Sequence, residues 1–234
     1  MVPHARVIET ELNGTLSDDN RHRLERVLRL REGDEFVLTD GCGRETNAVL
    51  GRSGSYTVAA WVTPEREPEV EVTLFAAISK GERLEWLIEK AVEMGVRRIV
   101  PLIAERCVVK SPGAGKVDRW RKVAATAMLQ CGGCVLPEVS EPVKLSAISA
   151  PPPQTLAILL HEEALSASLS SLPGIDSRRH VWLASGPEGG FSDAEVDFFI
   201  NSGWQPVWLG RRLFKTDTAP TIALANILSR SWGA

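Results

Sequence analysis

Gly186-Pro187-Glu188-Gly189-Gly190-Phe191 sets three glycines into five residues, after the apolar run Val181-Trp182-Leu183-Ala184 and before Ser192-Asp193-Ala194-Glu195. The apolar run has the composition of a buried strand, and S-x-x-E opens a helix as a capping box. Glycines in such a joint let backbone run where side chains would collide, which suits a ligand that lies against main-chain atoms. A second joint follows: Val207-Trp208-Leu209, then Gly210-Arg211-Arg212-Leu213-Phe214-Lys215-Thr216-Asp217-Thr218, then a helix. Read as the ends of neighbouring strands, the two joints make a crevice of the kind that binds ligands in open α/β sheets. The first joint is neither the G-x-G-x-x-G of dinucleotide sites nor a P-loop, so a polyphosphate is not expected there.

Each candidate residue also has a plain structural reading. Arg211, Arg212 and Lys215 read as a solvated charge cluster or as cations beside the glycine joint. Thr216, Asp217 and Thr218 can simply start the last helix, with Thr218 as N-cap and Pro220 in its first turn. His161 and Glu162 follow an apolar run and read as ligand contacts or an ordinary strand end. Arg21, His22, Arg23, Arg26, Arg29 and Arg31 crowd one short segment, as an exposed helix face or an RNA footprint. Glu82, Lys90 and Glu93 read as ion pairs on a helix surface, and Arg106 likewise. Cys131-Gly132-Gly133-Cys134 has redox-pair or half-zinc spacing but lacks a second C-x-x-C or a histidine pair. Ordinary thiols are therefore expected, and no metal site.

The elements that would position these residues fall into two parts. From Val2 to about Val62, short strand-like runs (Arg6–Glu9, Glu35–Thr39, Asn47–Leu50, Tyr56–Trp61) are punctuated by glycine turns and one helix, about Ser17–Leu28. That pattern predicts a small, partly closed β-barrel. Thr63-Pro64-Glu65-Arg66-Glu67-Pro68-Glu69 reads as a linker, giving domains of 1–68 and 69–234. Beyond it strand and helix alternate: strands near Val70–Ile78, Arg98–Ile103 and Leu156–Leu160, helices near Glu82–Met94, Val117–Leu129 and Glu163–Leu172, and a closing helix at Ala219–Trp232. Alternation predicts an α/β domain with a mostly parallel sheet. The closing helix is apolar nearly all round, as in a helix buried within one subunit or pressed against a second copy.

The chain has 234 residues and a net charge of −3, so no global field points to nucleic acid, and any RNA-binding surface must be a local patch. Residues 1–68 carry 9 Lys+Arg against 12 Asp+Glu, and the remainder 18 against 18. No run approaches the ~18 apolar residues of a membrane span, and the first thirty residues lack a signal-peptide core. A cytoplasmic protein without membrane partners is expected.

Four stretches together carry a resemblance: GPEGGF with LGRRLFKTDT (186–218), HRLERVLRLREGDEFVLTDGCG (22–43), SKGERLEWLIEKAVEMG (79–95) and AERCVVK (104–110). In this order the chain resembles the RsmE family, 16S ribosomal RNA uracil-N3-methyltransferases of the SPOUT superfamily. The resemblance implies a PUA-like, RNA-binding first domain and a SPOUT domain whose C-terminal part forms a trefoil knot. It implies a homodimer through the knot and the C-terminal helix, S-adenosylmethionine as cofactor, and 16S ribosomal RNA or the small ribosomal subunit as substrate. Cofactor contacts carried over are Leu160, His161, Gly186, Pro187, Glu188, Gly189, Gly190, Leu209, Gly210, Leu213, Thr216 and Thr218. Candidate catalytic groups are Arg212 and Lys215 as cations and Glu188 and Asp217 as bases; RNA contacts would be Arg21, His22, Arg26, Arg29 and Arg106. Lys215 and Asp217 depart from the arginine and glutamate usual in the family. The segment Leu129–Gly133 lacks the acid and arginine often found there. The alternatives are another RNA position as target, or a non-catalytic RNA-binding protein that keeps the fold.

Overall fold

The computed structural model describes residues 5–164, 167–172 and 179–230. They group into two compact units: residues 1–67 with 125–136, and 68–124 with 137–234.

In the first unit β1 (Arg6–Ile8) pairs parallel with β2 (Glu35–Thr39), which pairs antiparallel with β3 (Glu45–Leu50), and β3 antiparallel with β4 (Tyr56–Val58). Residues on β3 alternate between buried and exposed, the period-two signature of a half-buried strand. Thr46, Ala48 and Leu50 face inward. Val7, Leu24, Phe36, Leu38 and Tyr56 complete that core. Leu24 comes from the π-helical turn over Arg23–Val27 that continues α1 (Asp18–His22). A small mixed sheet around one core fits a barrel-like domain.

Residues 125–136, which the sequence reading places in the second domain, join the first unit through main-chain bonds. Gly43 donates to the Cys134 carbonyl at 3.0 Å and Leu136 to the Gly41 carbonyl at 2.8 Å. Arg6, 2 % exposed, donates to the Gly133 carbonyl at 3.2 Å and to Glu45 at 2.7 Å. Cys134 is buried against Glu67. Burial, then the bond to that carboxylate, pushes its thiol up to about 12, so this half of the C-x-x-C is a poor nucleophile. Among the described residues no cluster of three His, Cys, Asp or Glu could hold a metal, and no helix is long and apolar enough to cross a membrane.

Among the described residues the second unit is built on a seven-stranded sheet in which every strand pairing is parallel. Its strands are β5 (Glu71–Ala77), β6 (Arg98–Ile103), β7 (Glu138–Val139), β8 (Val143–Lys144), β9 (Leu156–Leu160), β10 (His180–Ser185) and β11 (Gln205–Val207). The spatial order is β11-β9-β10-β5-β6-β7, with β8 also on β6. Among the described residues four helices accompany them: α2 (Arg83–Glu93), α3 (Lys116–Cys131), α4 (Asp193–Asn201) and α5 (Thr218–Ser229); residues 125–131 of α3 belong to the first unit. An aromatic cluster fills one side of the sheet. Phe75 lies 5.0 Å from Trp182 and 5.4 Å from Trp204, and Phe199 lies 4.9 Å from Trp204 and 5.1 Å from Phe191, ring centre to ring centre.

The helix expected over Glu163–Leu172 does not form in the described residues of that stretch. Ala167 accepts from Trp208 N–H at 3.0 Å and Leu169 donates to the Trp208 carbonyl at 3.2 Å, so the chain is extended there, with only a 3₁₀ turn at Leu169–Ser171. A serine-rich run has weak helix preference, and pairing with Trp208 outweighs it. Residues 165–166 of that stretch lie outside the described residues, as do Ser231 and Trp232 of the closing helix.

On α2 the buried Glu85 accepts from Lys116 at 2.6 Å and Arg119 at 2.8 Å. Burial alone would raise its pKa; the two hydrogen bonds outweigh burial and hold it below the usual carboxylate value. A depressed folded-state pKa gives stability that is full above the unfolded value of about 4.3 and is lost as pH falls through the folded value. Both cations are partly exposed, which screens the pair. Glu85→Gln is therefore expected to cost about 1–2 kcal/mol at pH 7, a deficit that narrows below pH ~4. Urea unfolding of both proteins at the two pH values checks it.

Candidate functional site

The glycine joints do not end neighbouring strands. β9 lies between β10 and β11, because Gln205–Val207 pairs with Ile158–Leu160 on the side of β9 away from β10. Pro206 is tolerated because β11 is an edge strand. The end of β9 therefore joins the site, and His161 N–H donates to the Val207 carbonyl at 2.9 Å. Together the ends of β9, β10 and β11 and the start of α2 enclose a cavity of about 420 Å³. That is the size of a small-molecule site.

The wall after β10 is held from both ends. Phe191, 5 % exposed, sinks into the aromatic cluster. Glu195 accepts from the Ser192 N–H at 2.9 Å and so opens α4. Between these anchors the backbone turns tightly, Gly190 N–H donating to the Pro187 carbonyl at 2.9 Å. Gly190 sits at φ +68°, a left-handed conformation that glycine adopts freely. At Gly186 a Cβ would lie 3.1 Å from the Phe191 ring and 3.3 Å from its amide nitrogen, so a side chain there would displace the anchor. Arg106 braces the same loop, donating to the carbonyls of Gly189 at 3.0 Å and Phe191 at 3.2 Å.

The wall after β11 carries Leu209, Gly210, Arg212, Leu213, Phe214, Lys215 and Thr216. Leu213 is 84 % exposed and Phe214 40 %. Arg212 and Lys215 are exposed, and neither side chain has an ion-pair partner among the described residues. The Thr216 hydroxyl is buried and has no hydrogen-bond partner among the described residues, an unsatisfied group in the cavity wall.

Of the residues named from sequence, Leu160, His161, Gly186, Pro187, Glu188, Gly190, Leu209, Gly210, Leu213 and Thr216 line this cavity, as do Arg212 and Lys215. Gly189, Asp217 and Thr218 do not. Asp217 accepts from the Thr218 hydroxyl at 3.2 Å, and it is Asp217, not Thr218, that holds the N-cap position of α5. The Asp217 carbonyl also accepts from the Thr221 hydroxyl at 2.7 Å, one turn into the helix. Arg106 stands behind the loop rather than in the cavity lining. Arg21, His22, Arg26 and Arg29 belong to the first unit. Arg21 is paired with Glu25 at 3.2 Å, and the other three are exposed. Sequence reading missed Arg83, Ser185, Phe191 and Ala219 as lining residues. Arg83 had a signal, a cation at the first position of a helix, where the dipole disfavours it.

A family model described as an RNA methyltransferase domain matches residues 66–228. "Ribosomal RNA small subunit methyltransferase E" of Synechocystis sp. is 37% identical over 227 residues, covering 93% of this chain and 73% of the relative. A provisionally named methyltransferase from Legionella pneumophila, solved with the cofactor SAM bound, superposes with a TM-score of 0.88 at 32% identity, covering 97% and 98% of the two chains. The ribosomal RNA small subunit methyltransferase E of Neisseria gonorrhoeae, bound to S-adenosyl methionine, gives 0.86 at 28% identity over 96% and 97%.

Proposed function

We infer the function from one premise: the chain belongs to the RNA methyltransferase family, in the group of ribosomal RNA small subunit methyltransferase E. It is an S-adenosylmethionine-dependent enzyme that methylates small-subunit ribosomal RNA. The finer reading, N3 of a uridine as the acceptor, rests on the group's chemistry and on the cations at the cavity.

The residues present fit the cofactor. Gly186 lets the cavity-lining turn close against Phe191, where a Cβ would collide, and ten of the cofactor contacts carried over from the resemblance line one cavity at the strand ends. These two features carry the assignment. In this reading Leu160, His161, Gly186, Pro187, Glu188, Gly190, Leu209, Gly210, Leu213 and Thr216 hold the ligand, and Gly189 and Thr218 support them from behind the lining. When bound, the sulfonium supplies an electrophilic methyl group. The protein's part is to align the acceptor nitrogen and to favour its unprotonated form. Arg212 and Lys215 would stabilise negative charge spread over the uracil ring. A paired uridine hides N3, so the base must be unpaired or turned out.

The same reading includes a PUA-like first domain, a trefoil knot, a homodimer and a cytoplasmic location. Supporting a knot, β11 returns past β9, and residues 167–169 pair with Trp208. Supporting a dimer, Ile222 is 38 % exposed and Ala225 is exposed on the otherwise apolar α5. Arg21, His22, Arg26 and Arg29 would offer the first unit's contacts to RNA, with Arg106 acting through the loop it braces.

Nucleoside mass spectrometry of small-subunit ribosomal RNA from cells with and without the protein tests the reaction. 3-Methyluridine is expected to disappear from the deficient cells and return on complementation. Unchanged 3-methyluridine with loss of a different methylated nucleoside would move the acceptor elsewhere.

A further inference from the structure

We propose that Arg83 is a phosphate anchor for the RNA strand that crosses the cavity, held ready by Glu188; this rests on the reading of the protein as an RNA methyltransferase. Arg83 lines the cavity from the first position of α2. A cation there opposes the helix dipole, at a cost of about 0.3–1 kcal/mol, so nothing in the helix itself favours it. A locally unfavourable residue facing a cavity is where function is expected to have overridden stability.

The side chain is also under-used. Its contact is with Glu188, 3.6 Å from Nη1 to Oε1. That is beyond hydrogen-bond length, and its other donors make no hydrogen bond among the described residues. Glu188 is steadied in turn by the Lys80 N–H at 3.4 Å. Both partners remain open to water, 46 % and 32 % exposed, so an arriving anion can reach the guanidinium without opening the fold. A phosphate offers paired oxygens that match the planar fork at about 2.7–2.9 Å, a better partner than the present single long contact.

Placement says which anion. Arg83 stands beside the end of β5, while Arg212 and Lys215 follow β11, three strand positions away in the order β11-β9-β10-β5. The cations therefore reach one cavity from separate elements, α2 and the loop after β11. A polyanion lying across the opening offers a phosphate to Arg83 and its base to the others. Arg83 then grips the backbone beside the target nucleotide while Arg212 and Lys215 face the nucleotide itself. Glu188, committed to Arg83, is a positioning residue for that grip.

The test uses the purified full chain, deproteinised small-subunit ribosomal RNA and labelled S-adenosylmethionine. Arg83→Gln is expected to raise KM for RNA about 3- to 10-fold at low salt, with kcat and the Kd for S-adenosylmethionine held within about twofold. The slope of log K for RNA against log salt should become shallower by about 0.7, one single-strand phosphate contact. Arg83→Lys should retain the slope and recover part of the affinity, and Glu188→Gln, which removes the contact that positions Arg83, should weaken RNA binding by less than Arg83→Gln does while keeping the salt slope. An unchanged slope, a fall in kcat at saturating RNA, or weakened S-adenosylmethionine binding would each overturn the proposal. Should the wild-type protein transfer no methyl group, the functional reading falls, and the salt slope still decides for Arg83. Thermal unfolding of each variant confirms that it is folded.

Discussion

Gly190→Val is expected to weaken S-adenosylmethionine binding at least ~100-fold, about 2.7 kcal/mol, while the protein still unfolds in one cooperative transition. Gly190 lines the cavity at φ +68°. A β-branched residue in that left-handed region is strained by about 1–2 kcal/mol. The new Cβ would have only Glu162 near it, at 3.6 Å, so the fold can accept it, but its branches take space on the cavity side of a loop fixed at both ends. Phe191 in the aromatic cluster and the Arg106 bonds to two loop carbonyls keep that loop from yielding. Strain of this size should lower Tm by only about 2–8 °C in a chain of this length. Isothermal calorimetry beside a thermal melt reads both quantities. Gly113→Ala is the control, since its Cβ meets nothing within 4 Å and its φ is not positive. Near-normal affinity in a folded Gly190→Val protein would remove the loop from the cofactor site.

What the sequence made visible was local. The strand–glycine–helix joint at 181–195 is legible because its determinants are adjacent: an apolar run, the glycines, then Ser192 and Glu195 closing the helix start at 2.9 Å. The parallel sheet was legible from alternation alone. Strand order was not. Nothing in Val207-Trp208-Leu209 says that β11 pairs with β9 rather than β10, since each is an apolar run and pairing depends on contacts some 45 residues apart in sequence. The same non-local choice straightened Ala167–Leu169 against Trp208, where composition suggested a helix. It also drew residues 125–136 to the first unit through Gly41 and Gly43. Arg83 was overlooked because its neighbours Glu82, Lys90 and Glu93 make the helix look like an ordinary charged surface. Only the cavity shows that one of these charges faces inward.

Replacing both Arg212 and Lys215 by alanine is expected to lower the rate of methyl transfer about 100- to 1,000-fold at neutral pH, at saturating RNA and cofactor. Both line the cavity and neither is engaged in an ion pair among the described residues, so each positive charge is available to the substrate. A uracil nitrogen attacks effectively only after losing its proton, which leaves negative charge on the ring. A nearby cation lowers the pKa of that group by favouring its charged form. Neither carboxylate considered as a base is free in the way the cations are. Asp217 lies outside the cavity lining and accepts from Thr218, while Glu188 faces Arg83. In the proposed reading, charge stabilisation rather than a strong side-chain base carries the ionisation. The sign of the pH effect follows. Without the cations the uracil ionises at higher pH, so the deficit should be largest near neutrality and shrink as pH rises and the ring ionises unaided. Lys215→Arg should retain most of the rate, because the charge stays and a bidentate donor is added. Single-turnover rates across pH 6–10 decide the matter. A deficit that stays constant over that range, or one that appears only in KM, would make Arg212 and Lys215 phosphate contacts and leave the ionisation of N3 to another group.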